Sequence, residues 1–137
     1  MSDRSRQIFI AATLLIGPDG RALLVRKRGT TAFMQPGGKI DAGETALEAL
    51  RRELREELAL EIGPDAPRHL GRFEAPAANE ADAIVVAEVY LTHHVGEIAP
   101  QAEIEEMRWV DTAAPGDIEL AQLTRDMIFP AYRLLVS

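Results

Sequence analysis

Apolar positions along the chain fall into two periodicities. Ile8 to Ile16 and Ala22 to Arg28 are stretches dominated by β-branched and aliphatic residues, separated by Gly17-Pro18-Asp19-Gly20. That arrangement predicts two strands joined as a hairpin. Further strands are expected at Phe33 to Gln35, His69 to Ala75, Ala83 to Leu91 and Met107 to Val110, where Ile84, Val85, Val86, Val89 and Tyr90 give the clearest signal. Between them the period changes. Leu47, Leu50, Leu54 and Leu58 recur at the i, i+3, i+4 spacing of a buried helical stripe, which predicts a helix from about Glu44 to Leu58, closed off by Gly63-Pro64-Asp65. A second helix is expected from Thr124, as N-cap, to Leu135. Met127, Ile128, Leu134 and Leu135 would face the core, and Pro130 would kink it.

The polar side of the first helix carries the candidate chemistry. Successive helical residues advance by about 100°, so Glu53 and Glu57 stand one turn apart on one face with Glu56 on the flank. Like charges at that spacing repel unless a cation relieves them. Oxygen-only donors without a neighbouring Cys or His point to Mg²⁺ or Mn²⁺ rather than zinc. Charge alone would equally describe a solvated helix in which Glu48, Arg51, Arg52, Arg55 and Glu56 exchange ion pairs.

The spacing decides between these. Gly38, Glu44, and then Arg52-Glu53-Leu54-Arg55-Glu56-Glu57-Leu58-Ala59-Leu60 resemble the signature of the Nudix hydrolase family. The chain departs from it at Ala59, where the family has Gly, and Gln35-Pro36-Gly37 resembles the Pro-Gly-Gly turn that precedes the signature. A Gly there would suit a left-handed helix end, so either the helix continues past Ala59 or strain of about 1 kcal/mol is tolerated.

The resemblance implies an α/β protein, an α/β/α sandwich around a mixed sheet, spanning residues 1–137 as a single domain. It also implies hydrolysis of a nucleoside diphosphate linked to another moiety, by a small MutT-like or ADP-ribose pyrophosphatase-like member. Glu53 and Glu57 would be the principal metal ligands, Glu56 a further ligand or the general base, and Arg52 a group that orients Glu53 or pairs with Glu44. The family pattern adds the backbone carbonyl of Gly37 as a ligand, and by offset from Trp109 it adds the carboxylate of Glu103. Some family members form homodimers. Pro76, sixteen residues past Leu60, stands at an offset associated with ADP-ribose pyrophosphatases. A non-catalytic domain that binds a nucleotide ligand is the alternative.

Composition narrows the partners. The 137 residues are 47% hydrophobic and 27% charged, as in an ordinary globular domain. A net charge of −7 argues against a broad nucleic-acid surface. The chain has no cysteine, so thiolate chemistry and disulfides are excluded. The apolar run after Arg4 and Arg6 is too short to span a membrane and lacks an A-x-A cleavage site, so a cytoplasmic location is expected.

Substrate contacts are sought among few residues. Arg26, Lys27 and Arg28 form the dense basic cluster; alternation puts Arg26 and Arg28 on one face, toward phosphate, and leaves Lys27 solvated. Base recognition would need an aromatic shelf or an amide edge, for which Phe33, Phe73, Asn79 and Tyr90 are candidates. Lys39 after a glycine lacks the spacing of a P-loop. His93 and His94 would point to opposite faces of a strand and so not share an ion.

Overall fold

The sheet is built around β1 (Arg6–Ile16), whose residues from Ala11 to Ile16 are buried on both faces. The structure is a computed structural model that describes residues 6–77, 82–94 and 96–136. Along one edge β1 pairs in parallel with β5 (Ala83–His93) over its whole length, from Arg6 opposite Ala83 to Ile16 opposite His93. Burial on both faces explains why these strands are nearly unbroken apolar runs. β4 (Arg68–Pro76) extends the sheet antiparallel to β5.

The other edge of β1 is divided. The expected hairpin exists only near its turn, where Leu15 and Ile16 face Leu23 and Ala22 of β2 (Ala22–Lys27). Beyond that β2 turns toward β6 (Ile104–Val110). The edge it vacates is taken by β3 (Gly37–Lys39), antiparallel to Ile10, Ala11 and Ala12. The short strand expected at Phe33 to Gln35 therefore forms later, at the glycines; Phe33 and Met34 make only isolated bridges. The Gly-Gly pair is strand rather than tight turn; at Gly37 a Cβ would run into Ala11 and Ala12 of β1, and at Gly38 into the Glu53 carboxylate.

α1 (Ala46–Leu58) covers one face of the sheet, packing Ala49, Leu50, Leu54 and Leu58 on Ala11, Leu15, Leu23 and Val25. Leu47, expected in this stripe, is only partly buried. The helix starts after Glu44 because Thr45 caps it. The Thr45 hydroxyl accepts the Glu48 N–H at 3.1 Å, and the Glu48 carboxylate accepts the Thr45 N–H at 2.9 Å.

On the other face lie a π-helical turn (Thr124–Ile128) and α2 (Phe129–Val136), which place Ile128, Phe129 and Tyr132 against Leu14, Ile16, Leu24 and Val89. Here the sequence expectation needs correction. Thr124 is buried inside the helical segment, where the Arg125 N–H already bonds the Ala121 carbonyl, so it is not an N-cap. Met127, Leu134 and Leu135 are 40%, 81% and 51% exposed, and of the four residues expected in the core only Ile128 is there. The wider turn rotates the face that a regular helix would present. It also relieves Pro130, which has no N–H for the Asp126 carbonyl and would crowd it in a regular turn.

Ala59 ends α1 in the left-handed conformation, with φ 53° and ψ 36°, its N–H bonded to the Arg55 carbonyl at 3.1 Å. The helix stops there rather than continuing, and the missing glycine is met with backbone strain. Ala59→Gly should raise stability by about 1 kcal/mol, read as a higher urea midpoint at unchanged slope.

Candidate active site

The face of α1 next to β3 brings a carboxylate into the interior. Glu57 is 6% exposed. One of its oxygens accepts the Gly37 N–H at 3.3 Å, and the other pairs with Lys27 Nζ at 3.4 Å. Burial pushes the Glu57 carboxyl up to about 7; Lys27 opposes that shift, the charge of Glu53 adds to it, and the Gly37 N–H opposes it. Glu53 lies one turn earlier, against Gly38. A Cβ on Gly38 would stand 2.5 Å from the Glu53 carboxyl carbon, so the glycine is the space that this carboxylate occupies.

Arg52 organises the other carboxylates. Its Nε and Nη2 donate to the two Glu44 oxygens at 2.7 and 3.0 Å, and Nη1 donates to Glu53 at 3.0 Å and to Glu56 at 3.3 Å. Nη2 also reaches the Lys39 carbonyl at 3.0 Å, fastening α1 to the end of β3. The forked, two-point contact with Arg52 holds the Glu44 carboxyl down at about 2, helped by the Asp41 N–H. Arg52 thus bonds both Glu44 and Glu53, the two partners proposed for it from the sequence. Glu56, with a side chain 56% exposed, has among the described residues the Arg52 contact alone.

Other residues lie elsewhere than their sequence positions suggested. Arg26 is bound to Glu106 at 3.3 Å and to the Thr30 carbonyl at 2.9 Å, and Arg28 pairs with Glu105 at 3.6 Å. Lys27, expected in solvent, is the basic residue that meets Glu57. Lys27 follows Leu23 and Val25 at every second residue onto the face that α1 covers, while the register shift in the pairing with β6 leaves its extra residue, Glu105, on the other strand. Phe33 is a core residue, 5% exposed, with the Arg108 guanidinium 5.6 Å above its ring, and so offers no open shelf for a base. Asn79 lies outside the described residues. Glu103 is exposed at the start of β6, where its carbonyl accepts the Arg28 N–H at 2.8 Å. The loop before it is tied to the end of α1 by the Gln101 N–H on the Glu57 carbonyl at 2.7 Å. His93 is exposed and His94 half-buried.

Among the described residues no three His, Asp or Glu side chains already converge as a formed metal site. Lys27 and Arg52 instead neutralise Glu57 and Glu53. The donor chemistry nevertheless fits a hard divalent cation: the donors are all oxygen, two carboxylates share a face one turn apart, and the missing side chain of Gly38 lets the Glu53 carboxylate lie against β3.

The opposite face of the sheet holds a cavity of about 690 Å³, bounded by Ile10, Ala12, Gln35, Pro76, Thr124 and Ile128 among others. From the sequence Gln35 and Thr124 read as a turn residue and a helix N-cap, not as residues of a site. The signal available for Gln35 was its place just before Pro36-Gly37-Gly38; for Thr124, whose position depends on the π-helical turn, there was none.

The chain is similar to proteins of known class. A 47-residue stretch is 49% identical to an RNA pyrophosphohydrolase of Halorhodospira halophila, covering 34% of this chain and 26% of that protein. A 57-residue stretch is 40% identical to an 8-oxo-dGTP diphosphatase of Haemophilus influenzae, covering 39% of this chain and 42% of that one. These matches span well under two thirds of the relatives' own lengths. The crystal structure of a MutT protein from Methanosarcina mazei superposes with a TM-score of 0.83 over 99% of this chain and 100% of that one, at 23% identity, which establishes a common fold. The sequence model of the NUDIX domain matches residues 7–130, and with more than half of its length so matched the chain belongs to that family.

Proposed function

We propose that this protein is a divalent-metal-dependent pyrophosphohydrolase that cleaves a nucleoside diphosphate linked to another moiety. The observation that carries the reading is the pair Glu53 and Glu57, seated against glycines of β3, two residues along the chain from a side chain that lines a nucleoside-sized cavity. The similar proteins named RNA pyrophosphohydrolase and 8-oxo-dGTP diphosphatase support an anhydride of phosphate as the substrate class.

Glu53 and Glu57 would hold Mg²⁺ or Mn²⁺, with the Gly37 carbonyl, Glu56 and Glu103 as further oxygen donors. When bound, such ions supply charge neutralisation for the diphosphate and acidify coordinated water. The protein's own part is positioning. Arg52 keeps Glu53 and Glu56 on one arc through its contacts at 3.0 and 3.3 Å. Glu56, exposed on the flank, can accept a proton from water. Lys27, the basic side chain paired with Glu57, would take the phosphate contact expected of Arg26 and Arg28, which are engaged with Glu106 and Glu105. A retained constellation of this kind favours turnover over ligand binding alone.

The test is a screen for phosphate and pyrophosphate release with Mg²⁺ or Mn²⁺, over nucleoside triphosphates, dinucleoside polyphosphates, ADP-ribose and nucleotide sugars. Turnover that vanishes in Glu57→Gln is the expected result. Folded protein that binds nucleotide and metal but releases nothing would overturn the hydrolase reading in favour of a binding domain.

A further inference from the structure

The Gln35 side chain lines the cavity and is 6% exposed. Its Oε1 accepts the Thr124 hydroxyl at 3.0 Å, while Nε2, shut off from solvent, has no hydrogen-bond partner. A folded chain ordinarily avoids leaving a buried amide donor unmatched, so the exception asks for a function. Thr124 is delivered to Gln35 by the first residue of the π-helical turn, a backbone irregularity that also borders the cavity.

The remaining walls define what fits. They mix apolar side chains such as Ile10, Ala87 and Ile128 with polar ones such as Thr30, Glu119 and Arg125, and among the described residues no aromatic side chain lines the space. A flat group that presents an acceptor on its edge to the Gln35 amide suits this cavity. Gln35 is two residues from Gly37, whose N–H bonds Glu57, a separation of about 7 Å in extended chain. One nucleotide can therefore reach both places. The terminal torsion of a glutamine is soft, so a small rotation brings Nε2 to an incoming oxygen.

We infer that Gln35 is a specificity-determining residue: its amide donates to a ring carbonyl of a nucleobase in the cavity, selecting keto bases over amino bases. Resting on the pyrophosphohydrolase reading, this names the substrate class of that site as nucleotides of guanine, uracil or thymine. An adenine or cytosine would set its own amino group against the Gln35 donor, and the Thr124 hydroxyl keeps the carbonyl end of the amide occupied.

The experiment compares kcat/KM for GTP, ATP, UTP and CTP with Mg²⁺ in the wild type, Gln35→Leu and Gln35→Glu, together with dissociation constants of GMP and AMP measured without turnover. The wild type should favour GTP over ATP and UTP over CTP by about tenfold, the scale on which a mismatched hydrogen bond discriminates. Gln35→Leu should bring both ratios near one, and Gln35→Glu, which offers only acceptors, should turn them toward ATP and CTP. Wild-type preference for amino bases, or ratios unchanged in Gln35→Glu, would overturn the inference while leaving hydrolysis intact. Absence of hydrolysis in the wild type would count against the catalytic reading alone, because the GMP to AMP binding ratio still decides the role of Gln35.

Discussion

Glu57→Gln should abolish turnover, by on the order of a thousandfold in kcat, and should make the metal-free protein more stable at pH 8. The two effects have one cause. Glu57 is held at 6% exposure beside Glu53, and its carboxyl is pushed up from 4.5 to about 7, mainly by burial. A carboxyl whose folded value is raised favours the folded state when protonated. Its contribution is complete below about 4.5 and is lost as pH rises through about 7. The wild type should therefore weaken between those values, whereas the glutamine variant, which keeps the acceptor for the Gly37 N–H, should not. At pH 8 the difference should be on the order of 2 kcal/mol, read from urea midpoints in the presence of a chelator. Near pH 4 it should close. Added Mg²⁺ should stabilise the wild type and not the variant. A variant that is less stable at pH 8 and still turns over would refute both the strained state of Glu57 and its place in the site.

Gly37→Ala should cost about 3 kcal/mol or more, a large fraction of the stability of a domain this size. Gly37 has φ 149°, and a Cβ there would run into the carbonyl of Ala11 and the Cα and Cβ of Ala12. The obstacle is the backbone of the central strand, which cannot yield without breaking its pairing with β3 or β5. Thermal unfolding and urea titration would read the loss. A variant that unfolds within 1 kcal/mol of the wild type would show that β3 can lift from β1 at little cost.

Much of this was legible in the sequence, for identifiable reasons. α1 could be placed because its leucine stripe acts locally. The set Arg52, Glu53, Glu56 and Glu57 could be placed because a helix fixes the geometry of residues within one turn. What sequence reasoning missed depends on contacts between distant segments. Lys27 reaches Glu57 because α1 packs over the face of β2 that Leu23 and Val25 share with it. Gln35 matters through Thr124, 89 residues away. The outward placement of Leu134 and Leu135 follows from a π-helical turn that no apolar period announces.

The parallel pairing of β1 with β5 also bears on how the molecule assembles. Arg6 meets Ala83, so the middle of the sheet closes only when about half of the chain has been gathered between its two strands. Contacts of such long range are slow to form, because a large loop must lose its freedom before any pairing rewards it. The carboxylate cradle needs only β1, β3 and α1, segments within the first 58 residues. The cavity needs Pro76, Ala87 and Thr124, from three later segments. On a growing chain the groups that would perform the chemistry can therefore come together while the pocket that would choose what they act upon still awaits its walls.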